Sequence, residues 1–339
     1  MNNNRGFIII ISLTIFALIL FFILYLMHVS SLERMIINST ISSIQSSYVV
    51  EGKINIILNK DKYLDIIRLN LDKFFKEPMN TGLSSFSFAL DEDDLSQGDT
   101  NRTVRGSIFL DYDKRIVLEL KTKGTYNKIT RDVVAKVTVL NELYELGSPI
   151  ISNFSLDEKR EREFNEYMNF LQENMLVPNL DHGMYGLHAK DFEQVKIIND
   201  NHKRIVEYYR NDGNVPIKVE YFTSDDVFLL CKNNSKTPEL FIINPVPSNK
   251  LKLSGVAYIE GNLIVENDFE FDGILIVNGN IIISPLAKAT VNGIILHKGE
   301  GEIINYENIE VIYSMEKIRK YIVYLPKFID LNIRNIKIY

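Results

Sequence analysis

The chain has 339 residues, 46% hydrophobic and 24% charged, with a formal net charge of −6 and a single cysteine. That composition excludes a disordered chain and a disulfide-built scaffold, and with no block of basic residues it argues against a general nucleic-acid-binding surface.

The first predicted element lies at the N-terminus. Phe7 to Met27 is a run of 21 uncharged residues, in which only Ser12 and Thr14 fall outside the hydrophobic set. As a helix it is about 31 Å long, which matches the hydrocarbon core of a bilayer. A polar leader, residues 1–6, precedes it, with Arg5 as its one charged side chain. By the positive-inside rule the N-terminus is expected in the cytoplasm and the bulk of the chain outside. A cleaved secretory signal is the rival, but its apolar stretch is shorter, roughly 7–15 residues.

The helical pattern continues past the run. Ile37, Ile41, Ile44 and Tyr48 fall on one face, at spacings of 4, 3 and 4, while Ser39, Thr40, Ser42, Ser43, Ser46 and Ser47 fill much of the other. Apolar periodicity resumes with Ile54, Ile57, Ile67 and Leu71 and ends near Pro78. The expectation is a largely continuous helix over 7–77, about 105 Å long. Residues 7–27 would cross the membrane and 28–78 would form an amphipathic extension packed on a folded domain, with Gly52 as the candidate kink.

Arg5-Gly6-Phe7 followed by an uncharged helix resembles the N-terminus of type IV pilins and pseudopilins. The resemblance implies that a prepilin peptidase cuts after Gly6, that Phe7 becomes a methylated N-terminus, and that the helix later packs with other pilins. The family's glutamate at the fifth mature position is replaced by Ile11. That loss is typical of some minor pilins, among them the PilX N-terminal type, and of tip pseudopilins. Tyr48-Val49-Val50-Glu51-Gly52-Lys53-Ile54 is similar to the Tyr-x-Ala-Glu-Ala/Ser-Gly-Ile stretch of PilX-like proteins, with Glu51 as the shared acid and Val50 and Lys53 as departures.

Residues 83–100 are polar and acidic around Asp91-Glu92-Asp93-Asp94, which predicts an exposed loop. Strands are expected at Thr103–Asp111, Arg115–Lys121 and Asp132–Leu140, with turns at Asp113-Lys114 and Gly124–Asn127. Gly124-Thr125-Tyr126 followed by Thr130-Arg131-Asp132-Val133 resembles a minor-pilin hairpin, and implies a long helix packed on an antiparallel sheet over 79–150. Ser155-Leu156-Asp157-Glu158 reads as a capping box for a helix reaching about Met175. The rest of 151–239 is a mixed region, with short strands expected near Val195–Asn199, Arg204–Tyr209, Ile217–Phe222 and Val227–Cys231. In the last of these, Cys231 reads as a small core residue.

A repeat follows. Gly255 and Gly261, Gly273 and Gly279, and Gly293 and Gly299 are pairs six residues apart, and successive pairs are offset by 18 and 20 residues. Each unit reads as strand, glycine turn, strand, and stacking such units buries a core that one unit alone cannot. The expectation is a short parallel β-solenoid over 240–315, with these glycines at its corners and residues 316–339 as a cap. The repeat resembles the glycine-punctuated C-terminal portion of PilX-like proteins.

The fold expected is therefore α+β: a long N-terminal transmembrane helix on an antiparallel sheet, then the solenoid. The function the resemblance implies is a structural minor pilin or pseudopilin. Its partners would be other pilins, the prepilin peptidase and the inner or cytoplasmic membrane, with no nucleic acid. The alternative is a membrane-tethered adhesin or scaffold without filament assembly. No enzyme, metal or cofactor is expected. His182, His188 and Asp181 fit no zinc spacing. The alternating carboxylates Glu266, Asp268, Glu270 and Asp272 read more simply as a solvated edge than as a saccharide-cleaving face.

Overall fold

The computed structural model describes residues 4–76, 83–96, 98–112, 115–180, 183–200, 203–210, 215–233, 236–244, 250–298 and 303–339. Pro78, Asp181, His182 and Gly299 lie outside the described residues. Helix α1 (Asn4–Asn59) carries the apolar run, and α2 (Asp61–Lys76) follows after a single residue. The break falls at Lys60 and not at Gly52, which lies inside α1. The Lys60 amide still donates to Ile56 O at 3.0 Å, while the Lys60 carbonyl accepts from both Tyr63 and Leu64 and opens the second helix. Lys60 and Lys62 pair there with Asp94 and Asp91, and Tyr63 donates to Asp94 Oδ2 at 2.6 Å. The acidic segment is thus clamped to the helix break.

Strands β1 (Leu83–Ala89), β2 (Thr103–Leu110), β3 (Ile116–Tyr126) and β4 (Ile129–Leu140) form an antiparallel meander. β1 occupies sequence expected as loop: Phe86 and Phe88 alternate with serines and stack at 6.2 Å, and Phe88 also stacks on Tyr63 at 5.8 Å. The β3–β4 turn is Asn127-Lys128, both at positive φ (45° and 67°), with Tyr126 paired to Ile129. Gly124 to Tyr126 therefore lie in strand, because a two-residue turn with the right twist needs both its residues at positive φ. Val50, Ile54 and Ile57 of α1 and Tyr63, Ile67 and Leu71 of α2 are fully buried in one core with Ile108, Leu118 and Val137 of this sheet.

Next come β5 (Ile150–Ser152) and α3 (Glu158–Asn174). Asp157 caps α3, accepting from the Arg160 amide at 3.0 Å, whereas Ser155 bonds back to Ser152. Phe164, Met168, Leu171 and Met175 are buried. Then follow β6 (Tyr185–Lys190), β7 (Gln194–Asp200), β8 (Lys203–Tyr209), β9 (Lys218–Phe222), β10 (Asp226–Lys232) and β11 (Glu239–Ile243). After them come β12 (Leu251–Ile259), β13 (Asn262–Val265), β14 (Phe269–Val277), β15 (Ile281–Ile283), β16 (Ala289–His297), β17 (Ile303–Ile304) and β18 (Ile309–Tyr313).

From β10 to β18 successive strands alternate between two sheets. The first has the order β18-β16-β14-β12-β10-β6, paired parallel throughout, with β5 parallel beside the second half of β16. The second has the order β17-β15-β13-β11-β7-β8-β9, parallel as far as β7 and antiparallel beyond it. This pairing begins at β6 and β7, so part of the mixed region 151–239 belongs to the same two sheets. Leu229, Leu253 and Leu275 of the first sheet and Ile197, Ile242 and Val265 of the second share a buried core between them. The other face of the first sheet joins the core beneath α1, α2 and α3 through Phe228, Val256 and Ile274.

Residues 316–339, expected as a cap, do more than close an end. Helix α4 (Met315–Ile322) packs on β12, β14 and β16. Strand β19 (Ile329–Ile338) then returns to the N-terminal sheet and pairs antiparallel with β4, giving the order β1-β2-β3-β4-β19.

Candidate functional site: the N-terminal helix and the glycine stack

From Phe7 onward α1 is long and apolar enough to cross a membrane, and none of its most apolar window is buried in the fold. The Gly6–Phe7 bond lies within the first turns of α1, where Phe7 is 67% exposed and Ile11 42%. Arg5 falls in the same first turn.

Below the apolar run the two faces of α1 separate. Ser42 and Ser46 are buried against the tip of the β3–β4 hairpin. Arg131 donates to Ser43 Oγ at 2.6 Å and Asn127 to Ser42 Oγ at 3.4 Å. Ile37, Ile41, Ile44 and Tyr48 are 56, 51, 49 and 62% exposed. This stretch of helix therefore docks by its serine face, and the isoleucine stripe is the face the domain leaves free.

The helix enters the core one turn later. A Cβ on Gly124 would lie 2.6 Å from Val50 Cγ1 and 2.9 Å from Val49 Cγ1, so the absence of a side chain there lets α1 rest on β3. Glu51 is half-buried. Lys53 is 1% exposed; its ammonium donates to Asn101 O at 2.6 Å and Lys123 O at 2.5 Å and is ion-paired with Asp99 Oδ2 at 2.5 Å. Asp99 Oδ1 accepts in turn from the Asn101 and Thr125 amides. A buried ammonium is tolerated only when paired and hydrogen-bonded, and this arrangement ties the helix to the segment before β2 and to β3. Sequence reasoning met Lys53 only as a departure from a motif. The available signal was its phase, since Ser46, Val50, Lys53 and Ile57 follow at spacings of 4, 3 and 4 on the buried face.

Among the repeat glycines, Gly255, Gly273 and Gly293 lie inside strands, at φ of 136°, 142° and 153°, and pair with one another in register. A Cβ would lie 1.9 Å from Val227 O at Gly255, 2.0 Å from Gly255 O at Gly273 and 1.8 Å from Gly273 O at Gly293. Each rung thus rests on the carbonyl of the one before. Gly261 and Gly279 sit between strands, and the Gly279 amide donates to Gly261 O at 3.0 Å. Beside them the Asn262 side chain accepts from the Asn280 amide at 2.9 Å, so a short asparagine step joins two rungs.

The carboxylate series does not form one solvated edge. Glu266 and Asp268 precede β14, Glu270 pairs with Lys250 and Lys252, and Asp272 is buried, bonded to Lys317 at 2.9 Å and Asn292 at 2.8 Å. The Lys252 and Lys250 ammoniums hold the Glu270 carboxyl below its ordinary range. Cys231 is fully buried, and burial pushes its thiol up to about 12. His297 is buried with Nε2 2.8 Å from Gly279 O, and burial lowers its pKa. His188 is exposed on β6. Among the described residues no group of three or more His, Cys, Asp or Glu could hold a metal ion.

Fold and site together define an α+β chain whose N-terminal helix can span a membrane and whose globular part joins an antiparallel sheet to two ladder sheets. No protein-family model and no curated protein matches it. One solved structure, the competence-associated pilin ComZ from Thermus thermophilus, aligns over 88% of this chain and 97% of its own at 10% identity, with a TM-score of 0.23. A TM-score that low does not establish a shared fold.

Proposed function

We propose that this chain is a structural subunit of a bacterial type IV filament system, a minor pilin or pseudopilin of the PilX N-terminal type. In this reading Phe7–Met27 holds the subunit in the membrane, with its N-terminus in the cytoplasm and the domain outside. The prepilin peptidase cuts between Gly6 and Phe7, and the freed helix packs among the helices of other pilins. The two ladder sheets are the coils of a β-solenoid displayed on the subunit's surface.

One observation carries the reading. The domain grips α1 by Ser42 and Ser43, buries Ser46 and leaves Ile37, Ile41, Ile44 and Tyr48 outward, in line with the apolar run above. A helix serving only as a tether gains nothing by exposing such a stripe to water, whereas a helix that packs among others needs it. The alternative, a tethered adhesin or scaffold, shares the anchor and lacks both processing and packing.

Two measurements test this. Mass spectrometry of the protein from native membranes containing an active prepilin peptidase is expected to find Phe7 as the first residue, and retention of Gly6 overturns the processing step. Ile41→Asp with Ile44→Asp is expected to leave melting of the folded domain unchanged, because both residues are half exposed, and to abolish recovery of the chain in sheared filaments. Normal recovery of that variant sinks the packing role.

A further inference from the structure

Among the described residues, an outward face of the antiparallel sheet and one of the second ladder sheet differ in character. On the antiparallel sheet the outward residues include Arg105, Glu119, Lys121 and Lys136, as expected of a face in water. On the second ladder sheet two files of outward positions are largely apolar. Side chains alternate along a strand, so the neighbours of buried Ile197, Val206, Leu240 and Ile242 share the outer face. Ile304, Ile282, Ile264 and Phe241 stand side by side at one register across four strands. Ile243, Ile198, Ile205 and Tyr221 form a second file across β11, β7, β8 and β9. None of these eight belongs to either buried core. Ile304 and Tyr221 are exposed, and the other six are partly exposed.

The first file continues from Phe241 into a charged pair. Lys196 on β7 stands opposite Glu207 on β8, and Val219 on β9 follows. Both charges are anchored. The Lys196 ammonium lies 4.6 Å from the Tyr209 ring centroid and 5.7 Å from that of Phe241, and Glu207 accepts from Tyr209 Oη at 2.5 Å.

We propose that this face docks a second copy of the chain, sheet against sheet, about a two-fold axis that follows the β7–β8 boundary. The register alone makes the face self-complementary about that axis. Turned over, β7 of one copy lies above β8 of the other, and β11 lies above β9. Lys196 then meets Glu207 of the second copy, twice. Ile198 meets Ile205, Phe241 meets Val219 and Ile243 meets Tyr221. Two sheets packed at about 10 Å exclude water from these four pairings, while Ile264, Ile282 and Ile304 extend past β9 of the second copy, and an isologous contact of this kind closes on itself as a dimer. A lipid surface would cover the isoleucines but would leave Glu207 facing hydrocarbon, so charge matching selects the second copy.

The test uses the full chain in detergent micelles. One preparation carries Ile198→Cys and the other Ile205→Cys, Cys231 being buried in both, and cross-linking by a short bifunctional thiol reagent is measured on mixing. A cross-linked dimer is expected. Lys196→Glu in both preparations, or Glu207→Lys in both, is expected to lower the yield about tenfold, since like charges then face each other twice. Mixing a Lys196→Glu chain with a Glu207→Lys chain is expected to restore it, because each like-charged face then meets its opposite. Yields that ignore the single reversals, or a mixture no better than either alone, overturn the proposal, the latter pointing to membrane or another partner. If either reversal unfolds the chain, Ile243→Asp replaces it: lost cross-linking at unchanged melting supports the docking, and unchanged cross-linking overturns it.

Discussion

At the scale of single residues, the most consequential group is a charge where an apolar side chain was due. Lys53 and Asp99 are both withdrawn from solvent, and the ammonium is ion-paired to Asp99 and donates to two carbonyls. Removing one partner strands the other, which costs about 3–5 kcal/mol, while removing both costs far less. Lys53→Met and Asp99→Asn alone are therefore expected to lower the urea midpoint strongly, and the double variant to recover much of the loss, since an amide oxygen still accepts from Asn101 and Thr125. Additive single effects would show that the pair acts independently. His297 makes a pH-dependent contribution of definite sign. Burial holds its imidazole neutral, so its folded pKa lies below the ordinary 6.5. The unfolded chain then takes up the proton first, so the contribution is complete above about pH 6.5 and is lost as pH falls toward the folded value. His297→Gln is expected to flatten the stability profile below pH 6.5, and an unchanged slope there would remove His297 as its source.

At the scale of elements, legibility follows the range of the interaction. The repeat was visible because every rung must solve the same steric problem, so the same residue recurs at the same place. Its cause is now specific: at Gly273 a side chain would have to occupy the Gly255 carbonyl, at φ 142°. Gly273→Ala is expected to destabilise by about 3 kcal/mol or more, through strain and overlap together. Gly52→Ala is the contrast, because nothing lies within 4 Å of a Cβ there and the site is helical, so it is expected to stabilise by roughly 0.5–1 kcal/mol. Equal effects on thermal unfolding would refute the steric reading. The earlier strands β6, β7 and β10 escaped the periodic reading because the ladder position that Gly255, Gly273 and Gly293 hold is Val227 in β10 and Tyr185 in β6. The strand β1 escaped because its serines and acidic neighbours read as loop, when what fixes it is pairing with β2 and stacking of Phe88 on Tyr63. For α1 the serine–isoleucine division was legible in the sequence, but not which face meets the domain, since that depends on Arg131 and Asn127 of a distant hairpin.

At the scale of the whole molecule, the last strand decides what the first helix rests on. β19 pairs with β4 from Ile329↔Leu140 to Ile338↔Val133, and Arg334 reaches Asp111 at 3.1 Å. Contacts that join residues some two hundred positions apart leave no local trace, so residues 316–339 read from sequence as a simple cap. Their real position makes β4 an interior strand. It also places the hairpin that holds Ser42 and Ser43 beside the chain's C-terminal segment, where the amides of Asp132 and Tyr339 exchange hydrogen bonds with each other's carbonyls. Removing residues 329–339 would expose the hydrogen-bonding edge of β4, which invites pairing with other chains. The ladder sheets keep their own core and are expected to survive. Hydrogen exchange on the truncated full-length background is therefore expected to show lost protection in β4 and in α1 from Ser42 to Lys53, with β12, β14 and β16 unchanged. If α1 kept its protection, β19 would be an ornament on the sheet. If β14 lost its own as well, the two halves would fold as one unit, and the helix, the sheet and the ladder would have to be treated as a single cooperative structure.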